Sequence, residues 1–122
     1  MVADQLGNPT SALDIADGIV GVATNLVADS YPELRGTFHM TASGEASWAD
    51  FAEEIFAASA ARGGPSAQVR RITTADYPTL ATRPANSRLD CGLIARVHGV
   101  VLPDWRQSLG TVMARLQPVA AH

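Results

Sequence analysis

The chain contains no lysine; all nine of its basic residues are arginines. Schiff-base chemistry, and any other mechanism that needs a lysine amine, is therefore excluded from its own residues. Cysteine is almost absent as well. Cys91 stands alone, so no intrachain disulfide can form, which fits a reducing compartment and points to the cytoplasm. Charge is sparse, at 17% of 122 residues, and the net charge is -3. No basic surface is offered to nucleic acid and no polybasic run to an anionic membrane, so neither partner is expected. Apolar stretches are broken by Asp, Gly, Asn or Arg well short of the roughly twenty residues that cross a bilayer, and no basic region followed by an apolar one opens the chain.

What remains is a 47% hydrophobic sequence able to bury one modest core, and a single domain is the default for this length. The pattern predicts an α+β unit of four helices with a minor sheet of about three short strands, filling residues 1–117 and leaving 118–122 as a frayed tail. Val2–Gln5 reads as a first strand; entering it so soon after Met1 suggests a piece of a longer protein. Gly7, Asn8 and Pro9 supply a turn, after which a helix is predicted from about Ser11 to Ala28. Its inner face is read as Leu13, Ala16, Ile19, Val20, Ala23, Leu26 and Val27, with Gly18 and Gly21 admitting another backbone closely. Thr37–Met40 and Gln68–Ile72 have strand composition.

Ser47 and Asp50 make a capping-box variant at the start of a second helix, whose inner face is Phe51, Ala52, Ile55, Phe56 and Ser59 and which Gly63-Gly64-Pro65 stops. A long irregular loop runs from Thr73 to Arg88. Asp90 starts a short helix ending at Gly99, and Asp104 starts a last one carrying Leu109, Val112, Met113 and Leu116.

Three short motifs stand out in order: Asp4-Gln-Leu-Gly-Asn-Pro-Thr10, Arg83-Pro-Ala-Asn-Ser-Arg-Leu-Asp90 and Leu102-Pro-Asp-Trp-Arg106. In the second, Pro84 stiffens the backbone after Arg83, whose planar donor fork suits phosphate oxygens or a carboxylate at the surface or a domain boundary. Asn86 and Ser87 could equally bond a ligand or satisfy the loop's own backbone. Gln5, at a strand end, could reach a ligand amide or hydroxyl, although the rest of its motif is explained by a turn into a capped helix. Trp48 and Trp105 both follow a cap and are read as core or interdomain packing. His39 and His98 lack a second ligand at metal-binding spacing, Cys91 lacks a neighbouring base, and the adjacent Glu53 and Glu54 point apart, as on a solvated face.

Together the three motifs resemble the C-terminal, substrate-side part of the dTDP-4-dehydrorhamnose reductase family, extended short-chain dehydrogenase/reductases, over nearly the whole chain. The resemblance implies a substrate-binding lobe that contacts the base and diphosphate of a dTDP-sugar, with Arg83, Asn86, Ser87 and Gln5 as substrate-binding residues. In the whole enzyme, hydride would pass from NADPH or NADH to the 4-keto group of dTDP-6-deoxy-L-lyxo-4-hexulose. The family's catalytic Tyr-x-x-x-Lys is absent, since Arg35 and Ala81 stand four positions after Tyr31 and Tyr77, and no glycine-rich phosphate loop follows a strand. No catalytic residue, bound cofactor or metal is therefore expected in this chain alone, and magnesium is left open. The implied partner is an N-terminal Rossmann domain, and apolar surface left bare without it predicts self-association. A non-catalytic regulatory or scaffold module of the same ancestry, or a reductase or epimerase for another sugar nucleotide, are the alternatives.

Overall fold

In the computed structural model, which describes residues 1–117, regular pairing begins at Leu6–Gly7, strand β1. Its antiparallel partner is Ala46–Ser47, strand β2, with Leu6 opposite Ser47 and Gly7 opposite Ala46. The predicted strands form only in outline. Val2 and Ile72 meet in a single parallel bridge, and residues 37–40 pair with nothing among the described residues. β-branched and aromatic content suits a pleated surface but makes a ladder only where a partner edge exists. Here Met40 turns to the first helix and Thr41 to Cys91 instead. The expected tail, 118–122, lies outside the described residues.

Four helices carry the rest: α1 at Ala12–Ala28, α2 at Trp48–Ala61, α3 at Gly92–His98 and α4 at Trp105–Leu116. Their starts follow local chemistry. The Ser11 hydroxyl accepts from Leu13 N, the Asp104 carboxylate from Arg106 N, and Ser47 with Asp50 closes a full capping box at 2.9 and 3.0 Å. The short helix starts one residue later than a cap at Asp90 predicts, with Cys91 at the cap position and the Asp90 carboxylate taking Gly92 N at 2.8 Å from outside the helix. Gly99 ends it in the left-handed region at φ +67°.

The core lies between α2 and α4. Ala42, Ala46 and Trp105 are buried together, with Phe51 and Leu109 packed against them and the Phe51 and Trp105 rings meeting edge to face at 5.9 Å. On α2 the buried positions are Ala49, Ala52 and Ser59, with Phe51, Ile55 and Phe56 half-buried beside them.

On α1 the predicted inner face is turned out. Leu13, Ile19, Val20 and Val27 are exposed, Val27 at 91%, while the one fully buried position is Gly18. Gly18 does admit a close approach, but of side chains: a Cβ there would lie 2.5 Å from Met40 Sδ and 3.2 Å from Leu102 Cδ2. Helical periodicity identifies an apolar stripe without saying what covers it. Asn25, on the buried side, donates to His98 O at 3.0 Å and meets His98 Nδ1 at 3.1 Å, while His98 Nε2 faces Leu34 O. His98 is thus a packed histidine with Phe38 against its ring.

Candidate functional site

The backbone of β1 is flanked by the arginine loop. Leu6 N donates to Ala85 O and Ser87 N to Leu6 O, each at 2.8 Å, so residues 85–87 lie as a further short edge beside Leu6. The Ser87 hydroxyl also donates to Leu6 O, and it stands 2.9 Å from where a Cβ on Gly7 would sit, which is why glycine occupies that strand position. Arg83, two residues before this anchored segment, is delivered to the mouth of two adjoining clefts.

The clefts have volumes of about 510 and 430 Å³, within the range of roughly 300–1,000 Å³ usual for small-ligand sites. Gln5, Trp48 and Arg83 line both. Pro84 and Ser87 belong to the larger, and Tyr77 and Thr79 to the smaller. Arg83 is the one charged side chain in either lining; no carboxylate is present there. Among the described residues Arg83 has no hydrogen-bond or ion-pair partner, whereas Arg71 is held by Asp50 and Glu53, Arg88 by Glu45 and Arg106 by Glu54. A guanidinium with its donors unused, facing a carboxylate-free concavity, can take a phosphate or carboxylate in bidentate fashion.

Gln5 is held in place by a relay across the chain. The Asp4 carboxylate accepts from Thr74 N and from the Thr74 hydroxyl at 2.7 Å, and that hydroxyl oxygen accepts from Gln5 Nε2 at 3.2 Å. The Thr74 hydroxyl, more than any other group, holds the Asp4 carboxyl below the usual carboxylate range. The Gln5 carbonyl oxygen is left for an incoming donor.

Of the sequence-predicted residues, Gln5, Arg83 and Ser87 therefore meet around the clefts, and Asn86 does not line them. The Asn86 carbonyl oxygen accepts from Arg88 N and Nε at 3.0 and 2.8 Å, closing its own turn. Much of the first and third motifs is scaffold. Asn8 ties Gly44 O to Leu89 N, and Thr10 ties Asn8 O to Ala42 N. Trp105 donates to Glu45 O from a site only 2% exposed, under Arg106 at 4.4 Å from its ring centre. Trp48, by contrast, is 52% exposed in the clefts, so Trp105 is a core residue and Trp48 is not. Nothing in the sequence singles out Tyr77 and Thr74, because a loop without periodicity gives no clue to which face its side chains will join.

Other titratable residues lead away from this site. Cys91 Sγ sits 3.3 Å from Thr41 N and Oγ1 as a packing group, and Glu53 and Glu54 pair with different arginines. Among the described residues no cluster of three or more His, Cys, Asp or Glu could hold a metal, and no helix is long and apolar enough to cross a membrane.

Residues 1–118 match the family model described as the RmlD substrate binding domain. A curated relative from Sinorhizobium fredii, named dTDP-4-dehydrorhamnose reductase, is 47% identical over 108 residues, covering 88% of this chain and 36% of the relative. The solved reductase of that name from Clostridium acetobutylicum superposes with a TM-score of 0.79 at 33% identity, over 96% of this chain and 39% of its own. The Bacillus anthracis enzyme, solved in complex with NADP, gives 0.76 at 29% identity over 93% and 37%. The chain thus spans well under half the length of these relatives. Matched by the family model along almost its whole length, it belongs to the family of RmlD substrate binding domains.

Proposed function

We propose that this chain is the part of a longer dTDP-4-dehydrorhamnose reductase that holds the dTDP-sugar, with Arg83 on the diphosphate and Gln5 and Ser87 offering acceptors to its hydroxyl or amide groups. One observation carries the reading: a guanidinium with no partner among the described residues, on the wall common to two carboxylate-free clefts. In the complete protein the reaction is reduction of the 4-keto group of dTDP-6-deoxy-L-lyxo-4-hexulose, with NADPH or NADH as hydride donor, in the cytoplasm.

The residues present do not fit the nicotinamide cofactor. There is no lysine to hold its ribose, and at the turn glycine Gly44 the Asp104 carboxylate stands 2.6 Å from the Cβ position, which leaves no open glycine cradle for a pyrophosphate there. On this reading hydride transfer belongs to residues of the whole enzyme other than these, and the work of this chain is to bind and orient.

The exposed stripe of Leu13, Ile19, Val20 and Val27 on α1 is the face that such a cofactor domain covers, and without it the chain self-associates there.

The test is calorimetric titration of dTDP into the chain and into Arg83→Ala. Charge-assisted hydrogen bonds contribute about 1.5–3 kcal/mol, so affinity falls by roughly 10- to 150-fold in the variant. Equal binding by both proteins, or none by the unaltered chain, refutes the assignment.

A further inference from the structure

Asp4 and Gln5 stand side by side just before β1, and both close on the hydroxyl of Thr74, 70 and 69 positions away. Of the three, only Gln5 lines the clefts. The order of the hydrogen bonds decides which end of its amide is left free. An ionised carboxylate only accepts, so the Thr74 hydroxyl must direct its single proton to Asp4 Oδ1, at 2.7 Å. The hydroxyl oxygen then faces Gln5 as an acceptor, and only the NH2 end of that amide can meet it, at 3.2 Å. Thr74 N, which donates to both Asp4 oxygens at 2.9 and 3.1 Å, adds to the bonds that keep the carboxylate ionised.

We infer that Asp4, without lining the clefts itself, is a positioning residue: through Thr74 it holds Gln5 with the carbonyl oxygen free, so that this point of the site selects a ligand group that donates, a hydroxyl or an imide N–H, and rejects a phosphate. Arg83, which shares both linings with Gln5, only donates, so the two side chains divide the ligand's acceptors and donors between them. The inference rests on the proposed substrate reading and deepens it by naming the residue that sets the polarity of the site.

Asp4→Asn reverses the relay with little change of shape. One oxygen remains to accept from Thr74 N, but the new NH2 donates to the Thr74 oxygen, whose proton turns to Gln5. The Gln5 amide flips to accept it and leaves its own NH2 toward the ligand. A donor that meets a donor loses the bond and keeps the desolvation cost.

The experiment titrates dTDP, which carries hydroxyl and imide donors, and inorganic pyrophosphate, which is bound through its acceptor oxygens. Asp4→Asn weakens dTDP by roughly 5- to 150-fold and leaves pyrophosphate bound at least as tightly as in the unaltered chain. In a Gln5→Ala background Asp4→Asn has no further effect on dTDP, because Asp4 acts only through that amide. Thr74→Ser, which keeps the hydroxyl, retains dTDP affinity, whereas Thr74→Val loses part of it. Without any ligand, nuclear Overhauser contacts from the Gln5 amide protons to the Thr74 side chain are present in the unaltered chain and lost in Asp4→Asn.

Undiminished dTDP binding by Asp4→Asn, with loss in Arg83→Ala, overturns the positioning role while the substrate reading stands. Equal weakening of both ligands, or the same loss of dTDP in the Gln5→Ala background, marks a structural effect and overturns it too. If the unaltered chain does not bind dTDP, both readings fall.

Discussion

Two glycines on α1 separate helix propensity from packing. Gly18 and Gly21 both lie inside Ala12–Ala28, so replacing either with alanine gains about 1 kcal/mol of intrinsic helix preference. Their surroundings differ. At Gly21 the new methyl would meet Val100 Cγ2 at 3.4 Å, an ordinary contact. At Gly18 it would lie 2.5 Å from Met40 Sδ, 3.3 Å from Met40 Cε and 3.2 Å from Leu102 Cδ2. Overpacking a filled site costs about 1–3 kcal/mol, and the sulfur is mid-chain, so Met40 must move as a whole. Gly21→Ala therefore stabilises by about 0.5–1 kcal/mol, and Gly18→Ala falls about 1–3 kcal/mol below it, because the propensity gain cancels between the two.

Urea unfolding followed by circular dichroism reads this difference. With a slope of about 1–3 kcal/mol per molar, it separates the midpoints by several tenths of a molar or more. Adding Met40→Ala to each variant supplies the control. It destabilises both, but less in the Gly18→Ala background, where the clash is relieved. A Gly18→Ala protein as stable as Gly21→Ala refutes the close packing of α1 on Met40 and Leu102.

Acid stability tests the capping box. Asp50 is held below its ordinary value of 3.8, chiefly by Ser47 N and then by Arg71. Its folded-state value being depressed, the stabilisation is present above 3.8 and is lost as pH falls through and below it. The urea-midpoint advantage of the unaltered chain over Asp50→Asn accordingly shrinks between about pH 5 and pH 2, and a constant gap sinks the argument. Self-association through α1 predicts that sedimentation shows concentration-dependent oligomers, which Val20→Gln with Val27→Gln converts to monomer without loss of helix content. A monomeric unaltered chain at high concentration counts against it.

Helix starts were legible in the sequence because a cap is a contact over two or three residues. Ser11, Ser47 and Asp104 each satisfy an orphan N–H close by, wherever the helix later docks. The second motif could likewise be singled out as a stiffened arginine loop. Strands were poorly legible, since a two-residue ladder such as Leu6–Gly7 with Ala46–Ser47 exists only when a partner some forty residues away arrives.

Side-chain destination was the other thing that tertiary structure alone decided. Trp48 and Trp105 occupy the same position after the same kind of cap, yet only Trp105 meets Ala42, Ala46 and Phe51. Asn86 and Ser87 are neighbours with similar chemistry, but the Arg88 turn claims one and Leu6 holds the other at the cleft. The sequence by itself determined which local hydrogen bonds would close and which residue could grip an anion. Tertiary packing decided which apolar faces were covered and which side chains were left open to a ligand, because burial depends on partners that no short window of sequence contains.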